Sequence, residues 1–219
     1  IKSASDILPW GSVPPNFIYE VEIEFVGKKL TEDIIQNEII YVESLLENNS
    51  YQNILNKLKS KFYLKDIRKL PNQVVGLKKL NFILVKHDYA AVDKADGERL
   101  LFYLNGENLY TIDLAYNVKK INTIIKKHNE SLIDGELVTI KGKKVFLVFD
   151  CLLFEGKDIR ESFLKQRLSM GEKVQKYLDI LNTEVEFKMK KFYFESDIFK
   201  ASEKVLNSKY PYELDGVIY

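Results

Sequence analysis

A β-hairpin signal in the middle of the chain limits the fold more than any other feature. Residues 99–104 and 108–112 are rich in apolar and aromatic side chains, and Asn105-Gly106 lies between them. An Asn-Gly pair between two such segments is the strongest short-range signal for a tight hairpin turn. Residues 132–140 and 145–154 form a second such pair around Lys141-Gly142-Lys143. The sequence therefore predicts an antiparallel sheet.

Helical patterns interrupt these hairpins. We expect helices at about 117–129 and 161–180, and another that Ser196 caps and that ends near Ser208. Further strands are expected at 82–85, 89–92 and 184–194. Antiparallel hairpins separated by single helices are typical of an α+β domain rather than a doubly wound one.

The first part of the chain has a different pattern. Residues 17–26 alternate apolar and acidic side chains, which predicts a strand, and amphipathic helices are expected after Thr31 and after Ser50. The helical pattern fades near Lys65, so we expect one domain over 1–65 and a second over 66–219. The chain starts at Ile1 and stops within an apolar run at Tyr219. We therefore expect a part of a longer protein.

Composition narrows the functional classes. Lys and Arg number 33 against 32 Asp and Glu, a net charge of +1, so any contact with RNA has to come from a local basic patch. The single cysteine, Cys151, lies in an apolar run and is expected to be a buried thiol. No apolar stretch reaches the roughly 18 residues of a membrane span. We expect a cytosolic or nuclear protein.

Four short segments carry the candidate chemistry. A Lys-x-Asp-Gly sequence alone arises by chance in roughly one chain in twenty of this length. Here it is followed by three segments in which a carboxylate ends or follows an apolar run. The four segments are Lys94-Ala95-Asp96-Gly97-Glu98-Arg99, Leu132-Ile133-Asp134-Gly135-Glu136-Leu137, Phe146-Leu147-Val148-Phe149-Asp150 and Glu213-Leu214-Asp215-Gly216-Val217-Ile218.

In this order, the four segments resemble the motifs of the covalent nucleotidyltransferases. That superfamily comprises mRNA capping guanylyltransferases and ATP-dependent DNA and RNA ligases, and the resemblance covers about residues 72–219. It implies an antiparallel-sheet nucleotide-binding domain in which Lys94 attacks the α-phosphate of a nucleoside triphosphate and holds the nucleotide as a phosphoramidate. A lysine with an ordinary pKa near 10.4 is protonated at neutral pH, so such a nucleophile needs desolvation or nearby cations.

The resemblance also implies roles for other residues. Arg99 would contact the sugar or phosphate, and Phe146 would lie against the purine with Ile218 on its other face. Phe146 in the ordinary core is the alternative, because sequence does not separate the two roles. A triphosphate needs a divalent cation, Mg²⁺ or Mn²⁺, held by one or two carboxylates and the phosphates. The candidates are Glu136 and Asp215, with Glu213 as second choice.

An acidic strand upstream gives a further clue. Glu20, Glu22 and Glu24 share one face of the predicted strand, where their charges repel unless a metal or basic partner relieves them. The segment resembles the glutamate strand of the metal-dependent β-tunnel RNA triphosphatases, so domain 1–65 is expected to be the C-terminal end of such a domain. A solvated acidic edge strand is the alternative. In capping enzymes of large DNA viruses, a triphosphatase precedes the guanylyltransferase.

Together these features predict an mRNA capping guanylyltransferase that passes GMP from GTP, through lysyl-GMP, to the 5′ diphosphate end of nascent RNA. Its domain would be truncated before a lysine-rich motif and an OB-fold, and a methyltransferase domain or subunit is a further partner left open. One alternative is the adenylation domain of an ATP-dependent DNA or RNA ligase. Asp215 favours capping, since ligases more often place Glu before that glycine. A catalytically silent RNA-binding module is the other alternative. The expected location is a cytoplasmic viral factory or virion, with the nucleus as the alternative.

Overall fold

The structure is a computed structural model. It describes residues 51–72, 75, 76, 89–121, 123, 126, 128–181 and 183–219, together with Gln36. The chain forms two compact units, residues 1–50 and 51–219, and the account below concerns the second unit. The predicted strands at 17–26 and 82–85 lie outside the described residues. Within the described ranges, no helix is long and apolar enough to cross a membrane.

A seven-stranded sheet forms the body of this unit. Its strand order is β4-β3-β2-β5-β6-β7 with antiparallel neighbours, and β8 pairs with β6 in parallel. This architecture, with few helices, confirms the α+β prediction. The strands are β2 (Glu98–Gly106), β3 (Asn108–Asp113), β4 (Val118–Ile121), β5 (His128–Ile140), β6 (Lys143–Phe154), β7 (Lys157–Asp158) and β8 (Val185–Met189).

Both predicted hairpins are present. Asn105 pairs with Asn108, so the first loop is Gly106-Glu107, one residue later than expected, and Gly106 has a φ of +65°. In the second hairpin, Lys141 and Gly142 have φ values of +51° and +79°. Positive φ at both central positions matches the type I′ turn, whose twist fits that of the strands it joins.

The helix predicted over 117–129 is wrong. Residues 118–121 form β4, which pairs with β3 through the register Leu109↔Ile121 to Ile112↔Val118, and residues 128–130 belong to β5. Pairing with the sheet edge and burial of Val118 outweigh the local helical pattern there. The other two helices are confirmed as α2 (Leu164–Asp179) and α3 (Ile198–Leu206). Asp197 caps α3 instead of Ser196, since its carboxylate accepts a hydrogen bond from Phe199 N at 2.9 Å.

Alternate residues of β2 face two separate cores. Leu101 and Tyr103 pack with helix α1, residues 51–61, whereas Leu100 and Phe102 pack in the core beneath α2. Helix α1 therefore belongs to the sheet unit and not to the domain that was predicted over 1–65. The assignment of residues 1–50 to a triphosphatase stays a prediction.

A second, two-stranded sheet lies beside the large one. Strand β1 (Val92–Ala95) pairs in antiparallel fashion with β9 (Leu214–Ile218). Helix α3 packs against this pair through Ala201 and Val205, which form a small core with Ala91. The first and last of the four motifs thus lie on adjacent strands.

Candidate functional site

The pairing of β1 with β9 brings Lys94 against Asp215. Their side chains form an ion pair between Lys94 Nζ and Asp215 Oδ2, although 121 positions separate them in the sequence. The strand register shifts between Asp93 and Ala95, so Lys94 lies at a local irregularity of β1. Both side chains stay accessible, with 42% of Lys94 and 59% of Asp215 exposed. The predicted nucleophile and one predicted metal ligand are therefore adjacent and open to a ligand.

The residue before Lys94 is fixed by a buried ion pair that the sequence analysis missed. Lys190 Nζ lies 3.1 Å from Asp93 Oδ2 and donates to Asp93 O at 2.9 Å, and each side chain is only 2% exposed. Tyr212 OH also donates to Asp93 Oδ2 at 3.1 Å. Burial lowers the pKa of Lys190, while the negative charge of Asp93 opposes this shift. Through its contacts with Oδ2 and the main-chain oxygen of Asp93, Lys190 attaches β1 to the large sheet.

Arg99 is held by a buried carboxylate. Its Nε and Nη2 lie 3.1 and 2.7 Å from the two oxygens of Asp134, and Nη2 also donates to Asn72 O at 2.8 Å. Burial raises the pKa of Asp134 to about 6, while Arg99 acts in the opposite direction. Asp134 is thus an ionised partner at neutral pH, and this bidentate contact fixes the guanidinium orientation. The Asp134-Gly135 pair is not a turn, since both residues lie within β5.

Glu136 lies on β5 directly opposite Arg99 of β2. Burial raises the pKa of this half-buried carboxyl, and the positive charges of Lys190, Arg99 and Lys94 counteract that effect, in that order. Glu136 therefore lies within electrostatic reach of all three cations. Gly97 allows the main chain beside Lys94 to pack closely against β5, because a Cβ at that position would lie 2.8 Å from Glu136 Cγ and 2.6 Å from Leu137 O.

For Phe146, the structure agrees with the alternative of an ordinary core residue. Phe146 is fully buried, with its ring centroid 4.4 Å from that of Phe102 and 5.9 Å from that of Phe187, so it belongs to the core under α2. Phe149 is half-buried instead, and its ring lies under two site cations: Arg99 Cζ at 5.3 Å and Lys190 Nζ at 5.7 Å from the centroid.

A β-bulge lies at Phe149. Asp134 pairs with Asp150 and Gly135 pairs with Val148, which leaves Phe149 as an extra residue on β6. A bulge redirects the side chains around it, and bulges are common beside functional sites. Sequence patterns that count every second residue do not locate such an insertion.

Asp150, at the end of the third motif, and Cys151, which follows it, have structural surroundings. Asp150 receives Arg167 Nε at 2.8 Å and Nη2 at 3.1 Å, which ties α2 to the sheet. Cys151 is fully buried, and burial raises the pKa of its thiol to about 12, as expected for an unreactive core thiol.

The remaining predicted ligands are less enclosed. Glu213 is exposed, and its main-chain oxygen accepts a hydrogen bond from Asp96 N at 3.1 Å, while Ile218 is half-buried in β9 opposite Val92. Among the described residues, no group of three or more His, Cys, Asp or Glu side chains is arranged to hold a metal by itself. Glu20, Glu22 and Glu24 lie outside the described residues.

Comparison with known proteins gives a consistent result. Residues 35–219 match the family model described as mRNA capping enzyme, catalytic domain. The "Probable mRNA-capping enzyme" of Acanthamoeba polyphaga mimivirus is 30% identical over 173 residues, which cover 73% of this chain and 14% of that protein. The "mRNA-capping enzyme" of African swine fever virus (isolate Pig/Kenya/KEN-50/1950) is 27% identical over 248 residues, 99% of this chain and 28% of that protein. The chain thus spans less than a third of the length of either relative.

Among solved structures, "mycobacterial DNA ligase D complexed with ATP and MES" superposes with a TM-score of 0.42 and 13% identity. The match covers 58% of this chain and 46% of that one. This likeness is too low to support an argument about function.

The buried ion pair gives a stability prediction. Lys190→Met leaves the Asp93 carboxylate buried without its cation, so we expect the free energy of unfolding to fall by about 3–5 kcal/mol. Lys176→Met is the matched control, because Lys176 pairs with Glu172 on the exposed surface of α2. Loss of such an exposed helical pair costs about 0.3–0.5 kcal/mol. Urea unfolding of both variants measures the difference, and equal small losses would contradict the structural role of Lys190.

Proposed function

The chain belongs to the family of mRNA capping enzyme catalytic domains, and we propose that it carries out the guanylyltransferase reaction with Lys94 as the nucleophile. The observation that carries this proposal is the ion pair between Lys94 and Asp215 at the edge of a site that also contains Arg99 and Glu136. The substrates under this proposal are GTP and the 5′ diphosphate end of RNA. The same reaction class needs a nucleophilic amine, phosphate-binding cations and carboxylates in one place.

In the first step, neutral Lys94 Nζ attacks the α-phosphorus of GTP. The new N–P bond forms as the bond from the α-phosphorus to the bridging oxygen breaks, and pyrophosphate leaves with the electron pair. Asp215 is the carboxylate placed to receive the proton that Nζ gives up, since the two groups are in contact. Arg99, oriented by Asp134, supplies a fixed positive charge on the face of the sheet that also carries Glu136.

In the second step, a terminal oxygen of the RNA 5′ diphosphate attacks the same phosphorus. The N–P bond breaks, Lys94 Nζ regains a proton, and the RNA carries a 5′-5′ triphosphate-linked guanosine. The protein ends as it began, so one lysine serves both steps. The ion pair between Asp93 and Lys190 anchors β1, and this anchoring keeps Lys94 Nζ in place between the two reaction steps.

A divalent cation, Mg²⁺ or Mn²⁺, fits this donor set only together with the substrate. Asp215 and Glu136 both lie near Lys94, and Mg²⁺ is commonly held through one or two carboxylates and substrate phosphates rather than by an all-protein cage. When bound, the ion would neutralise charge on the phosphates and the pyrophosphate leaving group. Glu213 is the further exposed carboxylate on the same segment as Asp215.

We further propose that Phe149 rather than Phe146 provides the stacking surface for the guanine. Its half-buried ring lies under Arg99 and Lys190, beside the cations that would hold the phosphates and sugar. Stacking of a base on an aromatic ring contributes about 1–3 kcal/mol in single-strand binding.

The ligase alternative has less support. The family match and both viral relatives described above are capping enzymes, and the last motif has Asp215 where ligases more often have Glu. Both classes share a lysine nucleophile, so the nucleotide that labels the protein separates them.

We also propose that the same polypeptide contains a metal-dependent RNA triphosphatase. It rests on the resemblance of Glu20, Glu22 and Glu24 to a tunnel strand. Three carboxylates that are two residues apart stand about 7 Å from one another along a strand, and can converge on phosphate-bound metal.

The nucleophile is tested by labelling. We expect the chain, incubated with GTP and Mg²⁺ as part of its full-length protein, to gain GMP on Lys94, because this amine is the accessible one beside Glu136 and Asp215. Mass spectrometry at neutral pH avoids the acid lability of the phosphoramidate. Lys94→Ala should abolish the adduct, and Lys176→Ala on the outer surface of α2 should retain it. An adduct on another lysine refutes the assignment, and labelling by ATP but not by GTP places the protein with the ligases.

The two phenylalanines give opposite expected phenotypes. Phe149→Leu should raise the KM for GTP in lysyl-GMP formation by about fivefold or more, because a stacking surface is lost while the fold is kept. Phe146→Leu should instead lower the free energy of unfolding by about 1–3 kcal/mol, because a fully buried ring is replaced by a smaller side chain. Steady-state labelling and urea unfolding of both variants measure these effects. An unchanged KM in Phe149→Leu would exclude base stacking on this ring.

The triphosphatase is tested in the full-length protein. Glu20→Ala and Glu22→Ala should abolish release of the γ-phosphate from triphosphate-ended RNA, because each removes an oxygen ligand of the metal. Lysyl-GMP formation should stay nearly intact, since it depends on Lys94. Equal loss of both activities in a folded variant would mean that these glutamates serve the nucleotidyl site.

A further inference from the structure

We propose that the segment Lys191-Phe192-Tyr193-Phe194, called here the aromatic strap, binds the first nucleotides of the acceptor RNA together with Lys165 of α2. The inference rests on the proposed function, because it assigns the acceptor strand to a surface beside the same nucleophile. It concerns the RNA chain behind the 5′ diphosphate and not the guanine of GTP.

The aromatic strap is fixed beside the strand that carries Lys94. It begins directly after Lys190, whose ammonium group contacts Asp93. Tyr193 N then donates to Ala91 O at 2.9 Å, and Ala91 N donates to Tyr193 O at 3.0 Å. Ala91 lies three residues before Lys94, and three residues of chain span at most about 11 Å. An RNA end that reaches Lys94 therefore passes within a few nucleotides of the strap.

Alternate residues of the strap have different surroundings. The Tyr193 ring packs into the small core under α3, and its hydroxyl lies 2.8 Å from Ser208 Oγ. The rings of Phe192 and Phe194 lie next to each other instead, with centroids 6.2 Å apart and ring planes 29° from parallel. Phe194 is 42% exposed. Phe192 is half-buried and supports the exposed Phe194 ring. An exposed aromatic ring held in this way is a suitable stacking surface for a base of any identity.

Lysine ammonium groups lie on these rings. Lys165 Nζ is 4.8 Å from the centroid of Phe194, and Lys191 Nζ is 4.9 Å from that of Tyr193. A base that stacks on Phe194 would displace the Lys165 ammonium, which could then pair with the neighbouring phosphate. The adjacent acid Glu195 is paired with Lys204, so it does not stand as an uncompensated charge beside the strap.

Charge and position together favour RNA over other partners. The chain has a net charge of +1, so attraction of a polyanion has to come from local clusters of this kind. Exposed aromatic residues that occur singly need no explanation. Here the exposed Phe194 ring lies beside Phe192, the Lys165 ammonium lies over it, and the segment is hydrogen-bonded to the strand of the nucleophile. A protein partner on the same surface is the outcome that the experiment has to distinguish.

The experiment separates the two half-reactions in the full-length protein. Lysyl-GMP is first formed and isolated, and its GMP is then transferred either to diphosphate-ended RNA of about ten nucleotides or to a nucleoside diphosphate that offers no following bases. Phe194→Leu and Lys165→Gln should raise the KM for the RNA at least about fivefold. Both variants should form lysyl-GMP, and transfer it to the nucleoside diphosphate, at the wild-type rate.

Two further variants keep the result interpretable. Phe194→Tyr retains the stacking ring and should keep the wild-type KM for RNA. Ile180→Ala removes another exposed apolar side chain, 78% exposed at the end of α2, and should change neither half-reaction.

Three results would overturn the proposal. The first is an unchanged KM for RNA in Phe194→Leu, and the second is an equal loss with the nucleoside diphosphate acceptor. The third is reduced formation of lysyl-GMP in Phe194→Leu, which would indicate that the strap packs against protein. If the wild type forms no lysyl-GMP, the proposed function fails by itself. Fluorescence anisotropy with labelled diphosphate-ended RNA then still tests the strap. The proposal requires that Phe194→Leu bind this RNA more weakly than the wild type does.

Discussion

The buried ion pair between Asp93 and Lys190 is the contact on which the geometry of the site depends. Two charges that are 2% exposed lose nearly all their hydration, and this cost is offset only while they remain paired and hydrogen-bonded. Lys190 follows β8, which pairs with β6 of the large sheet, while Asp93 lies in β1 of the small sheet. The pair therefore joins the two sheets at the residue next to Lys94.

Two further charged groups of the site, Arg99 and Glu136, lie on adjacent strands of the large sheet. Arg99 is oriented by Asp134, and Glu136 lies opposite Arg99 in the β2–β5 register. Asp150 has a similar arrangement with Arg167, but it serves to attach α2. The second, third and fourth motifs thus each contain a carboxylate that pairs with a cation. Lys94 and Asp215 differ from the other pairs, since both remain exposed enough for a substrate to replace their mutual contact.

Alternation along the strands separates the site from the core, and one bulge modifies it. Phe146 points into the core under α2, whereas Phe149, three residues later, lies on the other face of β6 beside Arg99 and Lys190. The bulge between the pairs Asp134↔Asp150 and Gly135↔Val148 leaves Phe149 as the extra residue of β6. The core under α2 leaves no room for a side chain at Gly135, where a Cβ would lie 2.5 Å from Phe146 Cζ. Packing on one face therefore restricts the sequence of a strand whose other face carries the site.

The sequence by itself determined the hairpins, the α+β class and the candidate nucleophile, because these depend on local signals: turn residues, alternation and a short ordered set of motifs. It also favoured capping over ligation through Asp215. Local signals failed at β4, where pairing with β3 outweighed a helical pattern. They indicated helix α1 but not the unit to which it belongs, because its partner strands lie far away in the sequence.

Tertiary structure decided which charges pair and which aromatic ring faces the site. Lys190 has no motif around it, and its role depends on the folding of the chain that brings it to Asp93, from which it is 97 positions away in the sequence. Phe146 and Phe149 both follow a valine in the same apolar run, and the packing of α2 on one face of β6 decides that Phe146 is buried while Phe149 borders the site. The physical reason is that burial and register are properties of the packed sheets. A local sequence pattern specifies the strand, but the strands beside it decide where each side chain lies.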